Sequence, residues 1–288
     1  MLSPPRIEIH RPETLSEALQ IKAEHPAALP LAGGTDLMVE INFRHRQPGA
    51  VLDLTAVPEL AEWAPDDGRL RIGAGVTYTR LIEELGEQLP GLAIASRTVG
   101  SPQIRNRGTV GGNLATASPA GDGLPPLYVS GAEVELASVR GTRRVPVGTF
   151  VTGPKRTCIE PDELIAAFVL PPAAGPQQFA KVGTRNAMVI AVCSVALALW
   201  PERRRVAACV GSAGPTPIEA TEAQDFISGA LDWDGGAPIA DEALARFGEL
   251  VGAAARPIDD VRGSARYRAH AVGVLARRTL QWAWSEHG

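Results

Sequence analysis

Residues 99–122 read V-G-S-P-Q-I-R-N-R-G-T-V-G-G-N-L-A-T-A-S-P-A-G-D. This stretch, named here the second glycine segment, is too rich in glycine, proline, serine and threonine to form one regular element. Gly108, Gly111 and Gly112 permit positive φ and let a ligand approach the main chain, because they carry no Cβ. Consecutive main-chain N–H groups that face one concavity bind anions, so the segment predicts an anion site.

An earlier glycine pair has the same chemistry on a smaller scale. Residues 31–37, named here the first glycine loop, read L-A-G-G-T-D-L. Two such loops are able to hold a diphosphate between them, because charge-assisted hydrogen bonds from amides to phosphate are strong. Each loop alone is also typical of an ordinary turn, since Gly-Gly marks turns in many proteins. The presence of both favours a binding site over two unrelated turns.

The composition limits the class of function. A chain of 288 residues is long enough for two or three structural units. Its 45% hydrophobic content is normal for a globular protein, and its net charge of −4 excludes a general nucleic-acid footprint. The 3 cysteines are widely separated and the 5 histidines have no metal-ligand spacing. We therefore expect neither an iron–sulfur cluster nor another metal site in this chain.

The sequence predicts a cytoplasmic protein without a membrane span. Charged residues at positions 6, 8, 11 and 13 interrupt any apolar core of a signal peptide. The longest apolar run, residues 187–200, contains one serine and is shorter than the about 20 residues that a membrane span requires. We interpret this run as a buried strand.

Strands and helices alternate around the first glycine loop. Residues 6–10 predict a short half-buried strand, and Thr14 with Glu17 predicts a capping box for a helix over about 15–24. Residues 29–32 predict a strand that leads into the loop, and residues 51–54 and 70–74 predict two more. The G-A-G at residues 73–75 lacks the third glycine of a dinucleotide fingerprint, because position 78 is Tyr78, so we exclude a Rossmann site there.

The last part of the chain predicts a separate unit. Residues 164–170 predict a strand, and P-P-A-A-G-P-Q at residues 171–177 is the best candidate boundary in the chain. Residues 189–199 and 205–211 predict further strands. A final helix with one packed face is predicted by the spacing of Val272, Leu275, Ala276, Thr279 and Ala283.

These motifs resemble one protein family. The run Q-I-R-N-x-G-T-V-G-G-N-L-x-T-A-S-P-A-G-D is similar to the second flavin-binding segment of the FAD-carrying medium subunits of molybdenum hydroxylases, the xanthine and carbon monoxide dehydrogenase family. The A-G-G-T-D-L run resembles the family's first flavin segment. G-S-A-x-Y-R at residues 263–268 and L-A-R-R at residues 275–278 resemble its closing signature. Few families share both flavin segments, so the resemblance is specific, and it spans nearly the whole chain.

The resemblance implies an α+β fold. The expected parts are a two-lobed FAD-binding domain of the PCMH (vanillyl-alcohol oxidase-like) type and a C-terminal α+β domain with an antiparallel sheet and helices. The expected ranges are residues 1–57 for the first lobe and 58–172 for the second lobe. Residues 177–288 are expected to form the C-terminal domain of the CO dehydrogenase flavoprotein type.

The resemblance also implies an FAD site across the two glycine regions. The amides of the glycine pairs would contact the pyrophosphate, while Asp36 would turn away from that anion and cap its own loop as an Asx turn. Asn113 would donate to phosphate or ribityl oxygens, and Asp122 would face sugar or ribityl hydroxyls, because a carboxylate repels phosphate. Arg105 and Arg107 would either attract the anion or pair with acidic residues. The residues expected to contact FAD are Leu31, Ala32, Gly33, Gly34, Thr35, Asp36, Leu37, Val99, Thr109, Val110, Gly111, Gly112, Asn113, Thr116, Asp122, Ile165 and Lys181.

No catalytic apparatus is legible in the sequence, which shows no Ser-His-Asp set, metal ligand set or nucleophilic cysteine. This fits a subunit whose chemistry belongs to its cofactor. The resemblance implies an oxidoreductase complex, assembled as a dimer of heterotrimers, with a molybdopterin-binding large subunit and a [2Fe–2S] small subunit. The flavoprotein subunit would take electrons from the clusters and pass them to NAD+, oxygen or another acceptor. The absence of a cysteine-bearing insertion argues against the branch that reduces 4-hydroxybenzoyl-CoA.

Two alternatives stay open from the sequence. The first is a self-contained flavin oxidoreductase of the PCMH type, which would need its own substrate pocket and catalytic residues. The second is a non-enzymatic nucleotide-binding module, in which the glycine loops hold another anion.

Overall fold

A small parallel sheet with two helices forms the first lobe. The computed structural model describes residues 7–287, so residue 6 of the predicted first strand and the outermost ends of the predicted domains lie outside it. The elements of this lobe are β1 (Glu8–His10), α1 (Leu15–Glu24), β2 (Leu29–Leu31), α2 (Leu37–Asn42) and β3 (Ala50–Asp53). The strands are parallel in the order β1-β3-β2. The first glycine loop joins β2 to α2 and therefore leaves the sheet at the carboxyl end of a strand.

The start of α1 confirms the predicted cap by Thr14, while Glu17 reaches one residue farther back than a capping box requires. Oγ1 of Thr14 accepts a hydrogen bond from the N–H of Glu17 at 3.1 Å. Oε2 of Glu17 reaches back to accept from the N–H of Glu13 at 2.8 Å, one residue before the N-cap. Both bonds satisfy amides at the helix start that have no partner within the helix.

The second lobe contains most of the main core. Its elements are β4 (Trp63–Asp66), β5 (Arg69–Gly73), α3 (Tyr78–Glu84), α4 (Pro90–Arg97), α5 (Pro102–Arg105), α6 (Val110–Thr116), α7 (Leu124–Val129), β6 (Glu133–Ser138), β7 (Gly141–Pro146), α8 (Val147–Phe150), β8 (Val151–Gly153), β9 (Arg156–Thr157) and β10 (Leu164–Leu170). Five strands form an antiparallel sheet in the order β4-β5-β10-β6-β7. Every residue of β10 is buried, and its bounds match the strand predicted from the sequence.

The C-terminal part is an antiparallel sheet covered by three helices. Its strands are β11 (Gln177–Val182), β12 (Cys193–Trp200), β13 (Arg205–Gly211) and β14 (Ile218–Glu219), paired in that order. Its helices are α9 (Thr221–Ala230), α10 (Asp241–Ala254) and α11 (Ala265–His287). Val195, Leu197 and Leu199 of β12 pack towards the helices, while Ala196 and Ala198 join the core of the second lobe. Both faces are therefore buried, which explains the continuous apolar run in the sequence.

The bounds of β12 and the buried face of α11 can be compared with the predictions. The apolar strand predicted over residues 189–199 begins only at Cys193, because residues 183–192 form a loop closed by a hydrogen bond from the N–H of Val192 to the carbonyl of Val182. The predicted apolar face of the last helix is confirmed, since its five predicted positions are all buried.

The α+β class is confirmed, with antiparallel sheets in the two larger parts and a parallel sheet in the first lobe. Cys193 and Cys209 are buried free thiols, and burial raises the pKa of Cys193 to about 11. Within residues 7–287 no cluster of His, Cys, Asp or Glu has the arrangement of a metal site. No helix in the same range is long and apolar enough to cross a membrane. The division at residues 57, 172 and 177 stays a prediction.

Candidate functional site

The first glycine loop presents a run of hydrogen-bond donors. Within residues 7–287, the main-chain N–H groups of residues 32–36 have no protein acceptor. Gly34 has a φ of 73°, a left-handed conformation that favours glycine. The loop is half-buried apart from Asp36, so these donors lie at an accessible surface. Consecutive free N–H groups of this kind form an anion-binding concavity.

The two glycine regions meet main chain to main chain. A Cβ built on Gly33 would lie 1.9 Å from the carbonyl oxygen of Arg107 and 2.9 Å from the nitrogen of Gly108. A Cβ on Gly108 would lie 3.4 Å from Oγ1 of Thr35. Only glycine at position 33 permits this approach. The structure therefore brings together the two loops that the sequence singled out.

The glycines of the second segment have packing and capping contacts, while their predicted contacts with FAD stay a prediction. None of Gly108, Gly111 and Gly112 adopts positive φ. Oγ1 of Thr109 caps α6 and accepts the N–H of Gly112 at 2.9 Å, so that donor already has a protein partner. A Cβ on Gly111 would lie 2.4 Å from the carbonyl oxygen of Ala74, so Gly111 permits close packing after β5. These glycines shape the helix start and its packing.

Asp36 differs from its predicted Asx turn. Its backbone is helical, with φ −112° and ψ −54°, and its side chain makes no capping hydrogen bond. An N-cap residue normally has extended backbone, which aims its side chain at the first amides of the helix. Oδ2 of Asp36 instead accepts a hydrogen bond from Oγ1 of Thr116 at 2.7 Å, across the two lobes. Asp36 therefore links the two glycine regions.

A second interlobe pair lies beside the first. Nζ of Lys155, in the turn between β8 and β9, donates to Oε1 of Glu40 in α2 at 2.9 Å. The N–H of Lys155 donates to the carbonyl of Ala117, at the end of α6, also at 2.9 Å. The hydrogen bond from Lys155 holds the pKa of Glu40 below its ordinary value. We name the contacts Thr116–Asp36 and Lys155–Glu40 the interlobe pairs.

Asp122 and Lys181 form a buried ion pair at the end of the second segment. Both side chains are 9% exposed, and Nζ of Lys181 donates to Oδ2 of Asp122 at 2.6 Å. The same Nζ donates to the carbonyls of Thr98 at 2.9 Å and Val189 at 3.2 Å. Burial raises the pKa of Asp122, and the charge and hydrogen bond of Lys181 act in the opposite direction. This pair joins β11 of the C-terminal part to the second lobe.

Two acceptor oxygens near this pair have no partner. Oδ1 of Asp122 and Oδ1 of Asn113 are buried, and no donor among residues 7–287 reaches them. A Cβ on Gly121 would lie 3.1 Å from Oδ1 of Asn113, and one on Gly123 would lie 2.9 Å from it. An unsatisfied buried acceptor costs about 1–3 kcal/mol, so a ligand that carries O–H or N–H donors fits this place.

Most of the other predicted residues contact the protein itself in the structure. Val110 is fully buried in the core, so only its main chain is left for a ligand, and Ile165 is 8% exposed. The carbonyl of Val99 accepts from Nη1 of Arg105 at 3.0 Å. Arg105 also donates to the carbonyl of Gly100, so its partners are main-chain carbonyls rather than an acidic residue. Leu31 ends β2 and Leu37 begins α2, on either side of the free amides.

The sequence analysis missed Tyr78 as a neighbour of the site. Its N–H donates to the carbonyl of Gly108 at 3.0 Å, and its hydroxyl lies 3.7 Å from a Cβ built on Gly123. Burial, with the nearby charge of Asp122, raises the pKa of Tyr78 and keeps its hydroxyl protonated. No motif in the sequence indicates this position, because the contact joins the start of α3 to Gly108, which is distant in the chain.

These features fit a ligand with an anionic centre and several hydroxyl groups, as a flavin dinucleotide has. The model of the FAD binding domain in molybdopterin dehydrogenase matches residues 5–173, more than half of the chain. The chain belongs to this family. The model of the CO dehydrogenase flavoprotein C-terminal domain matches residues 178–283. FAD is therefore the cofactor of this protein, which is a flavoprotein of the oxidoreductase class.

Individual relatives agree with the family. The chain is 32% identical to the xanthine dehydrogenase FAD-binding subunit of Escherichia coli O157:H7, over 97% of this chain and 96% of that one. It is 34% identical to the nicotinate dehydrogenase FAD-subunit of Eubacterium barkeri, over 77% and 80% of the two chains. The structure of reconstituted CO dehydrogenase from Oligotropha carboxidovorans superposes with a TM-score of 0.89 at 28% identity, over 99% of this chain and 100% of that one. The protein is thus an FAD subunit of the molybdenum hydroxylase type.

Proposed function

We propose that this subunit carries electrons within a molybdenum hydroxylase complex. It receives them from the [2Fe–2S] clusters of a small subunit and delivers them to NAD+, oxygen or another acceptor. A molybdopterin-binding large subunit completes the complex, as a dimer of heterotrimers. The observation that supports a dinucleotide site is that the two glycine regions meet at Gly33 and Arg107. Within residues 7–287, the first region carries N–H donors without a protein acceptor, and the second carries acceptor oxygens, on Asn113 and Asp122, without a protein donor.

The first glycine loop is the part that suits the diphosphate. The N–H groups of Gly33, Gly34 and Thr35 are consecutive and have no protein acceptor within residues 7–287. Hydrogen bonds from such donors to an anion are about twice as strong as neutral ones. In the proposal, these three residues hold the anionic centre of FAD, and Gly33 fixes their position against Arg107.

The second segment is the part that suits hydroxyl groups. Oδ1 of Asp122 and Oδ1 of Asn113 would accept hydrogen bonds from the ligand, because no donor among residues 7–287 reaches them. Lys181 orients the carboxylate of Asp122 by binding its other oxygen at 2.6 Å. FAD supplies the redox chemistry when bound, and these residues bind and orient it. The other residues predicted from the sequence to contact FAD remain predictions.

Binding of dinucleotide halves tests the site. The apoprotein is titrated with FAD, FMN and ADP, and the dissociation constants are compared. FAD should bind at least about tenfold more tightly than either half, because the two halves use different surfaces. ADP that binds as tightly as FAD would contradict the proposal, because the acceptor oxygens would then contribute nothing to flavin binding.

Reduction by the partner subunits tests the electron path. The purified complex is mixed with its substrate, and the flavin absorbance is followed with and without each candidate acceptor. Flavin reduction should require the small subunit, and reoxidation identifies the acceptor. If the isolated chain oxidises a substrate by itself, the self-contained flavin oxidoreductase is correct instead. The alternative of a module for another nucleotide is disfavoured by membership of an FAD-binding family. The cytoplasmic location stays a prediction.

A further inference from the structure

Ser212 connects three separate segments around the Asp122–Lys181 pair. It follows β13, is 6% exposed, and has a φ of 56°, which is uncommon for a residue other than glycine. Its N–H donates to the carbonyl of Pro119 at 2.9 Å, within the second glycine segment. Its Oγ donates to the carbonyl of Ala191 at 2.7 Å, in the loop after β11. Each polar group of Ser212 therefore has a hydrogen-bond partner, since its carbonyl also accepts a hydrogen bond.

That third bond comes from Arg268 in the first turns of α11. Arg268 is 3% exposed, and its Nη1 donates to the carbonyl of Ser212 at 2.8 Å. Its Nη2 donates to Oδ1 of Asp260 at 2.5 Å, which fixes the guanidinium from the other side. Oδ1 of Asp260 also accepts the N–H of Arg262 at 2.8 Å. Arg268 therefore holds the Ser212 carbonyl from a buried position through Nη1 and Nη2, while its Nε has no hydrogen-bond partner among residues 7–287.

The two segments that Ser212 holds are those that support the buried ion pair. Pro119 lies three residues before Asp122, whose Oδ2 accepts from Lys181. Ala191 lies two residues after Val189, whose carbonyl accepts from Nζ of the same lysine. A shift of either segment would change the distance between Lys181 and one of its acceptors. Hydrogen bonds weaken when the donor–acceptor distance leaves the range of about 2.7–3.2 Å, so such a shift would weaken the support of Asp122.

We propose that Arg268 and Ser212 are positioning residues for the FAD site: from the C-terminal part they set where Asp122 and Lys181 stand, without touching the cofactor themselves. The inference rests on the proposed function, because it takes Asp122 as a contact of FAD. It assigns a role in FAD binding to the closing Y-R motif, which lies far along the chain from both glycine regions.

The test compares FAD affinity with stability in the full-length chain. Arg268→Met removes both hydrogen bonds of the guanidinium, and Arg268→Lys keeps a donor for one of them. Ser212→Gly removes only the bond to Ala191 and suits the positive φ. FAD should bind about tenfold more weakly to Arg268→Met and about threefold more weakly to Ser212→Gly, with Arg268→Lys in between. Affinities are measured by titration well below the melting temperature of each apoprotein.

Thr279→Val is the matched control, because it acts in the same helix without contacting Ser212. Thr279 is fully buried, and within the described part of the chain its Oγ1 donates to carbonyls of its own helix at 3.0 Å and to no other group. This variant should lower the melting temperature and leave FAD affinity unchanged. Hydrogen exchange adds a local readout: Arg268→Met should speed exchange in residues 118–123 and 189–192 more than in α10.

The outcomes separate this inference from the proposed function. If Asp122→Asn weakens FAD binding but Arg268→Met and Ser212→Gly do not, the positioning role is wrong and the site stands. If Thr279→Val weakens binding as much as Arg268→Met does, the effect is general instability and the positioning role is also wrong. If Asp122→Asn leaves FAD affinity unchanged, the proposed site fails and this inference fails with it. Should Arg268→Met not fold, Arg268→Lys and Ser212→Gly carry the comparison.

Discussion

The first glycine loop and the second glycine segment have similar sequences but differ in how the protein itself uses their main-chain groups. Residues 32–36 keep their N–H groups free of protein acceptors within the described chain. In the second segment, Oγ1 of Thr109 accepts a hydrogen bond from the N–H of Gly112. Gly111 allows the main chain to pack closely against Ala74. That segment also presents two buried oxygens, Oδ1 of Asn113 and Oδ1 of Asp122, that no donor among residues 7–287 reaches. A Gly-Gly pair therefore indicates a place where another group comes close to the main chain. The residues around the pair determine whether that group belongs to a ligand or to the protein.

The largest effect is expected from Gly33→Ala, which separates the two regions. The new Cβ would lie 1.9 Å from the carbonyl oxygen of Arg107, and main chain yields less easily than a side chain. FAD affinity should fall by at least about 100-fold, and the free energy of unfolding should fall by about 2 kcal/mol. FAD titration and denaturant unfolding measure the two quantities.

Gly49→Ala is the control for that variant. It lies in the same lobe, and a Cβ there would have no heavy atom of residues 7–287 within 4 Å beyond its chain neighbours. It should leave both quantities near the wild-type values. Normal FAD affinity in Gly33→Ala would mean that the contact between the two glycine regions has no part in binding.

Gly111→Ala and Gly112→Ala should separate an effect on the free energy of unfolding from an effect on FAD affinity. A Cβ at Gly111 would lie 2.4 Å from the carbonyl oxygen of Ala74, so unfolding free energy should fall by about 2 kcal/mol. At Gly112 the nearest atom would be Oγ1 of Thr109 at 3.1 Å, so stability should change little. If a ligand approaches the main chain there, as the sequence predicts, FAD affinity should fall about tenfold. Unchanged affinity in Gly112→Ala would remove this residue from the site.

Asp122→Asn tests whether the carboxylate of Asp122 accepts hydrogen bonds from FAD. It leaves the ammonium of Lys181 buried without its carboxylate, which should cost about 3 kcal/mol of stability. FAD affinity should fall about tenfold, measured by titration. Adding Lys181→Met should recover part of the stability without recovering the affinity. A double variant that binds FAD as tightly as the wild type would show that the pair serves only the fold.

The smallest effect is expected from the interlobe pair of Lys155 and Glu40. Lys155→Met should speed FAD dissociation about twofold to threefold in stopped-flow measurements, and added salt should reduce the difference. Arg246→Gln, which removes an exposed ion pair in α10, should change nothing. A rate in Lys155→Met equal to the wild-type rate at low salt would remove this pair from cofactor retention.

The contribution of the Lys155–Glu40 ion pair to stability should depend on pH. The pKa of Glu40 is lowered in the folded protein, so its contribution to stability is complete above the ordinary glutamate pKa of about 4.3. That contribution is lost as the pH falls from there through the lowered value, because the folded state then loses its charged partner for Lys155. In Glu40→Gln the acid-dependent part of FAD release should be smaller. An identical pH profile in that variant would contradict this assignment.

Some features of this protein follow from local sequence alone. Both glycine regions, the capping box at Thr14 and Glu17, the buried strand β10 and the packed face of α11 were all predicted from their residues. Each depends on chemistry within a few positions of the chain: absent side chains, short-range capping and the spacing of apolar residues. The family resemblance rests on the same local motifs.

Other features were decided only by the tertiary structure. The sequence could not show that Asp36 bonds to Thr116, because those residues meet only when the two lobes pack. Nor could it show that Tyr78 lies beside the site, or that Arg268 reaches it through Ser212. These contacts join positions far apart in the chain, and no local pattern encodes them. The sequence determined which polar groups and bare main-chain amides the two glycine regions contain, and the packing of distant segments decided which of them the protein itself uses.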